Sequence, residues 1–446
     1  MLVSAVGTVE CITTSPTRVP SASVSVNLSS YATCDLHSDV NAKRTCMFLV
    51  GLSAVLGLMH LYLWKRLIKD TTQQGRARRI LTVVLCALAT LLVASLLLPR
   101  VIGLAESGWF TWPGYIWFGV AAYLFLTLLV LEPVRFTLGR WIKRKPPATT
   151  ETFSSNPTAA EEPTAPTPLN RRVFLARVSA VAAGAASVGL VGAGASNALG
   201  PPDLLQVPVR LRRLDPAFNG FRIAVVSDIH LGPLSGRTSA ERIVRMINDA
   251  APDLVAIVGD VVDGTVEELG PAAEPLRDLA SREGTFFVTG NHEYFVPDPL
   301  SWLRELERLG VQPLRNENTV IRRGAAAFDL AGVNDIAGES HSEAPDFDRA
   351  LSGLDSSRPT ILLAHQPVLV GEAAARGVDL QLSGHTHGGQ MWPFHYLVRA
   401  VQPSLAGLST VDATQLYVTR GAGFWGPPVR IGAPPDITVL TLQSEV

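Results

Sequence analysis

Three long apolar runs constrain this 446-residue chain more than any other feature of its sequence. They cover Met47 to Trp64, Ile80 to Leu98 and Pro113 to Leu131. A helix of about 17 to 25 mainly apolar residues can cross a bilayer, and each run has about this length. Buried core helices are the alternative, but three such runs flanked by charged residues and Trp are unusual inside a soluble protein. We therefore predict three transmembrane helices within residues 47–131, which disfavours a purely soluble enzyme.

The residues between and after these runs predict an orientation. The loop from Lys65 to Arg79 holds six Lys and Arg residues, whereas the loop after the second run holds only Arg100. Positive residues favour the cytoplasmic side, so this first loop and the basic segment after Leu131 are predicted to be cytoplasmic. Residues 132–172 are basic at first and then rich in Pro, Thr and Ala, a composition that cannot form a core and indicates a linker.

Two further segments flank this region. Residues 1–46 are rich in Ser, Thr and Val without a regular period, so we expect disorder there, with Met47 as an alternative start of translation. Residues 173–199 follow Arg171 and Arg172 and allow two interpretations: a fourth helix, or an internal signal that resembles a twin-arginine export sequence. In either case the loop charges predict a plasma-membrane protein whose remaining chain lies on the extracytoplasmic side.

The second half of the chain has a different composition. After residue 200 it holds 20 Lys and Arg against 30 Asp and Glu, a formal charge of -10. Phosphate backbones require a basic surface, so we expect no nucleic-acid partner. All four cysteines precede residue 200. A metal bound by the second half must therefore take nitrogen and oxygen ligands.

Short apolar runs alternate with amphipathic stretches over residues 201–446. The predicted strands are Phe221 to Ser227, Leu254 to Val258, Thr285 to Thr289, Thr360 to Ala364 and Val378 to Leu382. The predicted helices are Thr238 to Ala250, Glu267 to Ser281, Pro299 to Leu309 and Val368 to Ala375. This alternation is typical of a layered α/β domain.

Acidic residues, histidines and glycines follow directly after all five predicted strands. The motifs are Asp228-Ile229-His230, Gly259-Asp260-Val261-Val262-Asp263, Gly290-Asn291-His292-Glu293, a single His365, and Gly384-His385-Thr386-His387. Open α/β sheets place their ligand crevice at the carboxyl ends of strands, so we expect these side chains to converge. Five of the nine histidines lie here, which core packing or surface exposure explains poorly. His341 and His395 lack such a setting.

The donor types indicate a pair of divalent metal ions. Imidazoles and carboxylates without thiolates suit ions such as Mn, Fe, Zn or Ni. The seven candidate ligands are Asp228, His230, Asp260, Asn291, His365, His385 and His387. Seven are too many for one open catalytic ion, whereas two ions can share Asp260. Two such ions clamp the attacking and leaving oxygens of an in-line displacement at phosphorus and acidify a bridging water, so the sequence predicts phosphoester hydrolysis.

These ordered motifs, over roughly residues 219–442, resemble those of the calcineurin-like metallophosphoesterase family. The resemblance implies a metal-dependent phosphodiesterase or pyrophosphatase with a four-layer α/β/β/α sandwich and a dinuclear metal centre. It implies that one ion is held by Asp228, His230, Asp260 and His387, and the other by Asp260, Asn291, His365 and His385. It further makes His292 the general acid, with Glu293 tuning it and Asp263 orienting a ligand or a water. Together with its helices, the chain resembles the membrane-anchored proteins of this family.

The substrate is less constrained. Aromatic segments at Trp392-Pro393-Phe394 and Phe424-Trp425-Gly426 either line the crevice or pack in the core. With a membrane anchor, an apolar wall favours a lipid-linked phosphoester or pyrophosphate, and relatives in the family that cleave UDP-diacylglucosamine support this by analogy. Arg237, Asn334 and Gln390 lie near the motifs and are either substrate contacts or structural residues.

Two rival functions use the same features differently. The chain could be a membrane transport or receptor protein with a metal-binding sensory domain. Transport pathways usually need ionisable groups at membrane depth, however, and the three apolar runs contain no Asp, Glu, Lys or Arg. A secreted nuclease agrees with the metals but not with the charge of the second half.

Overall fold

The computed structural model describes residues 51–102, 108–143 and 171–445. They form two compact units. One contains residues 52–95 and 113–192, and the other contains residues 193–445 together with 51, 96–102 and 108–112. The predicted disorder of residues 1–46, the alternative start at Met47 and the linker from residue 144 to residue 170 lie outside the described residues.

Four helices supply the first unit. Helix α1 covers residues 51–63 and continues as a π-helix over Trp64–Lys69; α2 is Arg76–Ile102, α3 is Gly108–Lys143 and α4 is Arg171–Leu199. Within the described residues, Arg76–Leu96, Thr111–Leu138 and Arg172–Leu199 are long and apolar enough to cross a membrane. The second and third apolar runs thus lie in α2 and α3, and residues 173–199 are helical. The export-signal interpretation of that helix stays a prediction.

The end of α3 corrects the predicted start of the linker. We expected the linker to begin at residue 132, but α3 continues to Lys143. Pro133 lies inside the helix and removes only one backbone donor. Adding residues to an existing helix needs no new nucleation, and the Leu, Arg and Lys residues that follow are good helix formers. Residues 132–143 are therefore helical.

Small and apolar side chains hold the helices of the first unit together. Leu63, Ala121, Leu124, Leu128 and Ala183 are buried in one cluster. Alanine allows close approach of helix backbones, which is how helices associate where lipid removes the hydrophobic driving force.

The second unit contains two six-stranded sheets. The strands are β1 Asp203–Leu211, β2 Arg222–Val226, β3 Leu254–Val258, β4 Thr285–Val288, β5 Val311–Pro313, β6 Glu317–Arg323, β7 Ala326–Gly332, β8 Thr360–Leu363, β9 Leu380–Ser383, β10 Gly407–Val411, β11 Thr414–Val418 and β12 Asp436–Ser444. The first sheet has the order β1-β12-β2-β3-β4-β5 and the second β10-β11-β9-β8-β7-β6. All five predicted strands are present, with ends that differ by at most two residues.

Six helices belong to this unit: α5 Arg237–Asp249, α6 Val266–Ala273, α7 Pro299–Arg308, α8 Phe347–Ala350, α9 Val370–Ala375 and α10 His395–Arg399. The helix predicted from Glu267 to Ser281 ends early, and a 3-10 helix over Glu274–Asp278 follows it. Pro275 explains this end, because its ring lacks a donor and clashes with the carbonyl one turn back.

Burial on both faces of the sheets gives four layers. Every residue of β3 is buried. Leu254 on one face packs between the sheets with Leu330 of β7, whereas Ile257 on the other face packs against the helices that contain Ile243 and Trp302. The outer face of the second sheet is covered by α8 and α9 in the same way. This α/β/β/α arrangement confirms the predicted fold class.

Candidate metal centre

The predicted motif residues meet at one edge of the two sheets. Strands β2, β3 and β4 are parallel neighbours, and so are β8 and β9, so their carboxyl ends lie side by side. The backbone N–H of Asp228 donates to the carbonyl of Gly259 at 3.0 Å. The backbone N–H of His385 donates to Asp228 Oδ2 at 3.0 Å, which joins the loops of the two sheets. Both sheets therefore contribute side chains to one site.

Asp228, His230 and His387 form the first donor group. His387 Nε2 lies 3.2 Å from Asp228 Oδ1 and 3.1 Å from His230 Nε2. All three residues are buried. The Nδ1 of His230 lies 2.7 Å from Asp263 Oδ1. A carboxylate only accepts, so Nδ1 carries the proton and Nε2 presents a lone pair to the group.

Asp260, His365 and His385 form the second donor group. The Nδ1 of His365 donates to the Val258 carbonyl at 2.7 Å, which leaves its Nε2 with a lone pair. That Nε2 is 3.2 Å from Asp260 Oδ2 and is a buried atom without a hydrogen bond in the described chain. Asn291 Oδ1 adds a further oxygen 2.9 Å from His385 Nδ1.

The spacing and chemistry of these donors suit divalent cations. Two lone pairs that face each other at 3.2 Å, as on His365 Nε2 and Asp260 Oδ2, repel unless a proton or a metal cation lies between them. Burial disfavours the proton, but the charge of Asp260 and a hydrogen bond to it raise the pKa of His365 well above its ordinary value. Ligands at about 2.1 Å from an ion and at right angles to each other are about 3 Å apart, which is the spacing found in both groups. Asp260 Oδ2 is also 3.8 Å from His230 Nε2, so this carboxylate lies between the two groups.

Strained backbone marks the same residues. The φ angle is positive at Asp228 (51°), His230 (47°), Asp260 (53°), His385 (67°) and His387 (50°). Left-handed backbone costs a residue with a side chain about 1 to 2 kcal/mol, and such strain gathers at functional sites. Glycines make room beside these turns: a Cβ on Gly259 would lie 2.6 Å from His365 Nδ1, and one on Gly290 would collide with Asp260 Oδ1.

His292 lies beside the donor groups and shares Asp263 with His230. Asp263 Oδ1 accepts from Nδ1 of both rings at 2.7 Å. The Nε2 of His292 is 3.9 Å from Asp260 Oδ2. Burial favours the neutral ring, but the charges of Asp260 and Asp263 outweigh it and raise the pKa of His292 to about 9. The two carboxylates therefore favour the protonated form of this ring.

Glu293 mainly stabilises the turns around the site. Its carboxylate accepts from the backbone amides of Asp260, Val261 and Gly290 at 3.0, 2.8 and 2.7 Å. Burial and the neighbouring charge of Asp260 raise the pKa of Glu293 to about 7. Its charge also contributes to the raised pKa of His292. The tuning role that the resemblance implies for Glu293 stays a prediction.

Arg430, in the loop between β11 and β12, was not predicted as part of the site. Arg430 in this loop is fully buried. Its guanidinium donates to the carbonyl of His387 at 3.0 Å and lies 3.1 Å from Nδ1 of the same residue. Gly421 is so close to Asp228 that a Cβ there would lie 2.6 Å from the Asp228 Cβ. A detectable signal was present, because Thr419 to Gly421 follow an apolar run just as the other motifs do.

The three polar residues suggested as substrate contacts make structural contacts. Arg237 is exposed and pairs with Glu241 at 2.8 Å. Asn334 is buried, and its side chain donates to the carbonyl of Glu343 at 3.1 Å. Gln390 donates to the carbonyl of Trp425 at 2.8 Å. In the part of the chain that the structure describes, none of these side chains hydrogen-bonds to a donor group.

The aromatic segments divide between core and surface. Phe424 is buried, whereas Trp392, Phe394 and Trp425 are about half exposed. The ring of Trp425 lies 6.3 Å from that of His292, and the exposed Phe295 lies 4.8 Å from it. Phe295 and Trp425 therefore provide an apolar rim beside His292.

Comparison with known proteins agrees with this geometry. The family described as calcineurin-like phosphoesterase matches residues 221–389, which contain both donor groups. A transmembrane protein with metallophosphoesterase domain from Danio rerio is 33% identical over 410 residues, which are 89% of each chain. A Bos taurus protein of the same description is 44% identical over 263 residues, or 56% of this chain and 59% of that one.

A bacterial protein matches as well. An uncharacterized metallophosphoesterase of Campylobacter jejuni is 37% identical over 263 residues, covering 58% of this chain and 68% of that one. The shared domain, the clustered donors for metal ions and the membrane-length helices give one consistent result. The chain is a metal-dependent phosphoesterase and belongs to the calcineurin-like metallophosphoesterase family.

Proposed function

We propose that this protein is a membrane-anchored phosphohydrolase that uses two divalent metal ions to cleave a phosphodiester or pyrophosphate bond. The observation that carries the proposal is the geometry of the two donor groups, with Asp260 between them and His292 alongside. Membrane anchoring is consistent with the relatives of this chain that are described as transmembrane proteins.

The two groups divide the ligands between the ions. Asp228, His230 and His387 would hold one ion and His365, His385 and Asn291 the other, and Asp260 would contribute to both. The donors suit Mn, Fe, Zn or Ni. When bound, a metal pair supplies Lewis acidity toward the phosphoryl oxygens and an acidified water.

The protein itself supplies the proton for the leaving group. His292 is held by Asp263, which fixes its ring and keeps Nδ1 protonated. Its Nε2 N–H then donates to the departing oxygen, since this atom is the ring nitrogen nearest the shared carboxylate of Asp260. Positioned acids of this type contribute about 100- to 10,000-fold to rates.

A lipid-linked phosphoester or pyrophosphate is the proposed substrate class. The apolar rim of Phe295 and Trp425 beside His292 supports it, because a charged metal centre needs no exposed aromatic rings to bind a small polar ester. Transmembrane helices in the same chain would keep the domain near such a substrate.

The domain is proposed to lie on the extracytoplasmic side of the plasma membrane. The six basic residues between Lys65 and Arg79 support this topology, as positive loops stay in the cytoplasm. A reporter fused after Val446 that is active only in the cytoplasm would refute the orientation and leave the chemistry intact.

The chemistry is tested with the full chain purified in detergent, stripped of metal and then supplied with Mn or Zn. We expect hydrolysis of bis-p-nitrophenyl phosphate only after metal addition, and none in Asp260→Asn. His292→Gln should lose more activity toward esters with alkyl leaving groups than toward p-nitrophenyl esters, because p-nitrophenolate leaves without a proton.

His341→Gln is the matched control, since His341 is an exposed histidine outside both donor groups. It should keep full activity toward every ester. Hydrolysis without metal, or unchanged turnover in Asp260→Asn, would contradict the proposed function.

A further inference from the structure

The second unit carries an exposed apolar surface that its chemistry does not use. Trp392, Phe394, Tyr396, Leu397 and Val401, which we call the aromatic patch, are each between 49 and 64% exposed. They lie on and around α10, none of whose residues is buried. Exposed clusters of large apolar side chains on a folded domain mark an interaction site.

The patch has a distinctive charge. Residues 391–411 contain no Asp or Glu and one Arg, Arg399, which is exposed. The unit that contains them carries 30 acidic residues. This segment therefore carries none of the acidic charge that an anionic surface would repel, and Arg399 favours contact with one.

The end of a candidate membrane span lies next to the patch. Residues 193–199 are the last turns of α4, and Leu199 is also the last residue of the span Arg172–Leu199. The carbonyl of Gly194 accepts from the backbone N–H of Arg430 at 2.8 Å. A Cβ on Gly194 would lie 2.7 Å from Ile431 Cγ1, so helix and loop are in close contact here.

The same loop supports the patch. The backbone N–H of Trp392 donates to the carbonyl of Ile431 at 2.9 Å, and Met391 pairs with Ile431. Ile431 thus contacts both the membrane-helix end and the first residue of the patch.

From this juxtaposition we propose that the aromatic patch docks on the lipid headgroup region of the bilayer that α4 enters, with a preference for anionic lipids. Trp and Tyr favour this region because their rings are apolar and their N–H and O–H groups reach water. Leu397 and Val401 add apolar area on the same segment, as in helices that lie in a membrane interface. The inference goes beyond the proposed function and does not depend on hydrolysis.

The test uses the full chain with its four cysteines replaced by serine, one chain per lipid nanodisc. Tyr396→Cys carries an environment-sensitive NBD label. The control label is placed by Ser356→Cys. Ser356 is exposed and lies before the amino end of β8, at the end of the strands opposite to the metal site. We expect blue-shifted emission at position 396 and its quenching by brominated phosphatidylcholine, both greater with phosphatidylglycerol present, and neither effect at position 356.

Other outcomes overturn the proposal. Water-like emission at both positions would mean that the patch faces solvent. A blue shift without quenching by bromine would mean that protein, such as another part of this chain, covers the patch. A labelled Leu397→Cys chain repeats the measurement at a second site. Amide hydrogen exchange is also measured on the unlabelled chain, so that no label can alter the result. Exchange over residues 391–401 should be slower in nanodiscs than in detergent.

Discussion

At the scale of single residues, the site depends on buried side chains that fix other side chains. Asp263 fixes two rings, and burial of Arg430 places five donors where only backbone carbonyls and His387 can accept them. Burial lowers the pKa of Arg430 to about 10, which still leaves it charged at neutral pH. A buried charged group needs a hydrogen-bond partner for each of its donors. Because the partners of Arg430 are carbonyls of several different turns, Arg430 fixes the positions of these turns relative to one another.

Arg430→Met should therefore destabilise the protein by about 3 kcal/mol, because it leaves buried carbonyls unpaired. Loss of support for His387 should also weaken metal binding by about 10- to 100-fold, as for other residues that orient ligands. Chemical denaturation and metal titration measure the two effects.

Arg349→Met is the matched control for this substitution. Arg349 is exposed and pairs with Glu317 at 2.8 Å. Exposed ion pairs contribute little to stability, so Arg349→Met should change the free energy of unfolding by no more than about 0.5 kcal/mol and leave metal affinity unaltered. Equal effects of the two substitutions would show that Arg430 has no special role.

At the scale of elements, turns after parallel strands decide where the ligands lie. Gly290 connects β4 to the 3-10 helix His292–Phe295, and its Cα lies against Asp260. Asp260 itself has a positive φ, so neither turn can shift without moving a ligand. This contact between two turns is what keeps the shared carboxylate in place.

Gly290→Ala should destabilise the fold by about 2 kcal/mol and reduce metal binding, since the added methyl group collides with Asp260. Gly371→Ala in α9 is the control, with no atom within 4 Å of the new Cβ. It should be neutral or stabilising by about 0.5 to 1 kcal/mol, because alanine favours a helix. Thermal unfolding of both variants gives the comparison, and a loss of metal binding in Gly371→Ala would contradict this account.

At the scale of the whole molecule, metal binding and folding are linked. The candidate ligands come from both sheets and from loops that lie far apart in sequence, so an unfolded chain has no such site. The carboxylates of Asp228 and Asp260 are also buried beside histidines, and the partly buried Asp263 contacts His230 and His292. We therefore expect bound cations to stabilise the folded chain.

Removal of metal with a chelator should lower the thermal midpoint of the full chain in detergent. An ion at 100 times its dissociation constant adds about 2.7 kcal/mol to the free energy of unfolding. In Asp260→Asn, addition of Mn or Zn should raise the thermal midpoint much less, since the proposed shared ligand is weakened. An equal rise in both chains would show that the ions bind elsewhere.

Local sequence patterns predict most of the helices and strands and most of the candidate site. Apolar runs gave the helices α2 and α3, and alternation of short strands with helices gave the layered domain, because both patterns arise from neighbouring residues. The seven candidate ligands stand at strand ends, where a parallel sheet must bring them together. Local patterns can therefore predict a candidate site that is assembled from distant segments.

Features that depend on contacts between distant parts of the chain could be found only in the folded structure. The pairing of β1 with β12 joins Asp203 to Asp436, and no local pattern encodes such a partner. Arg430 reaches His387 only after two strands have paired, and Ile431 meets the end of α4 for the same reason. These features were missed since their stability comes from long-range packing, whose geometry is set when the whole core forms.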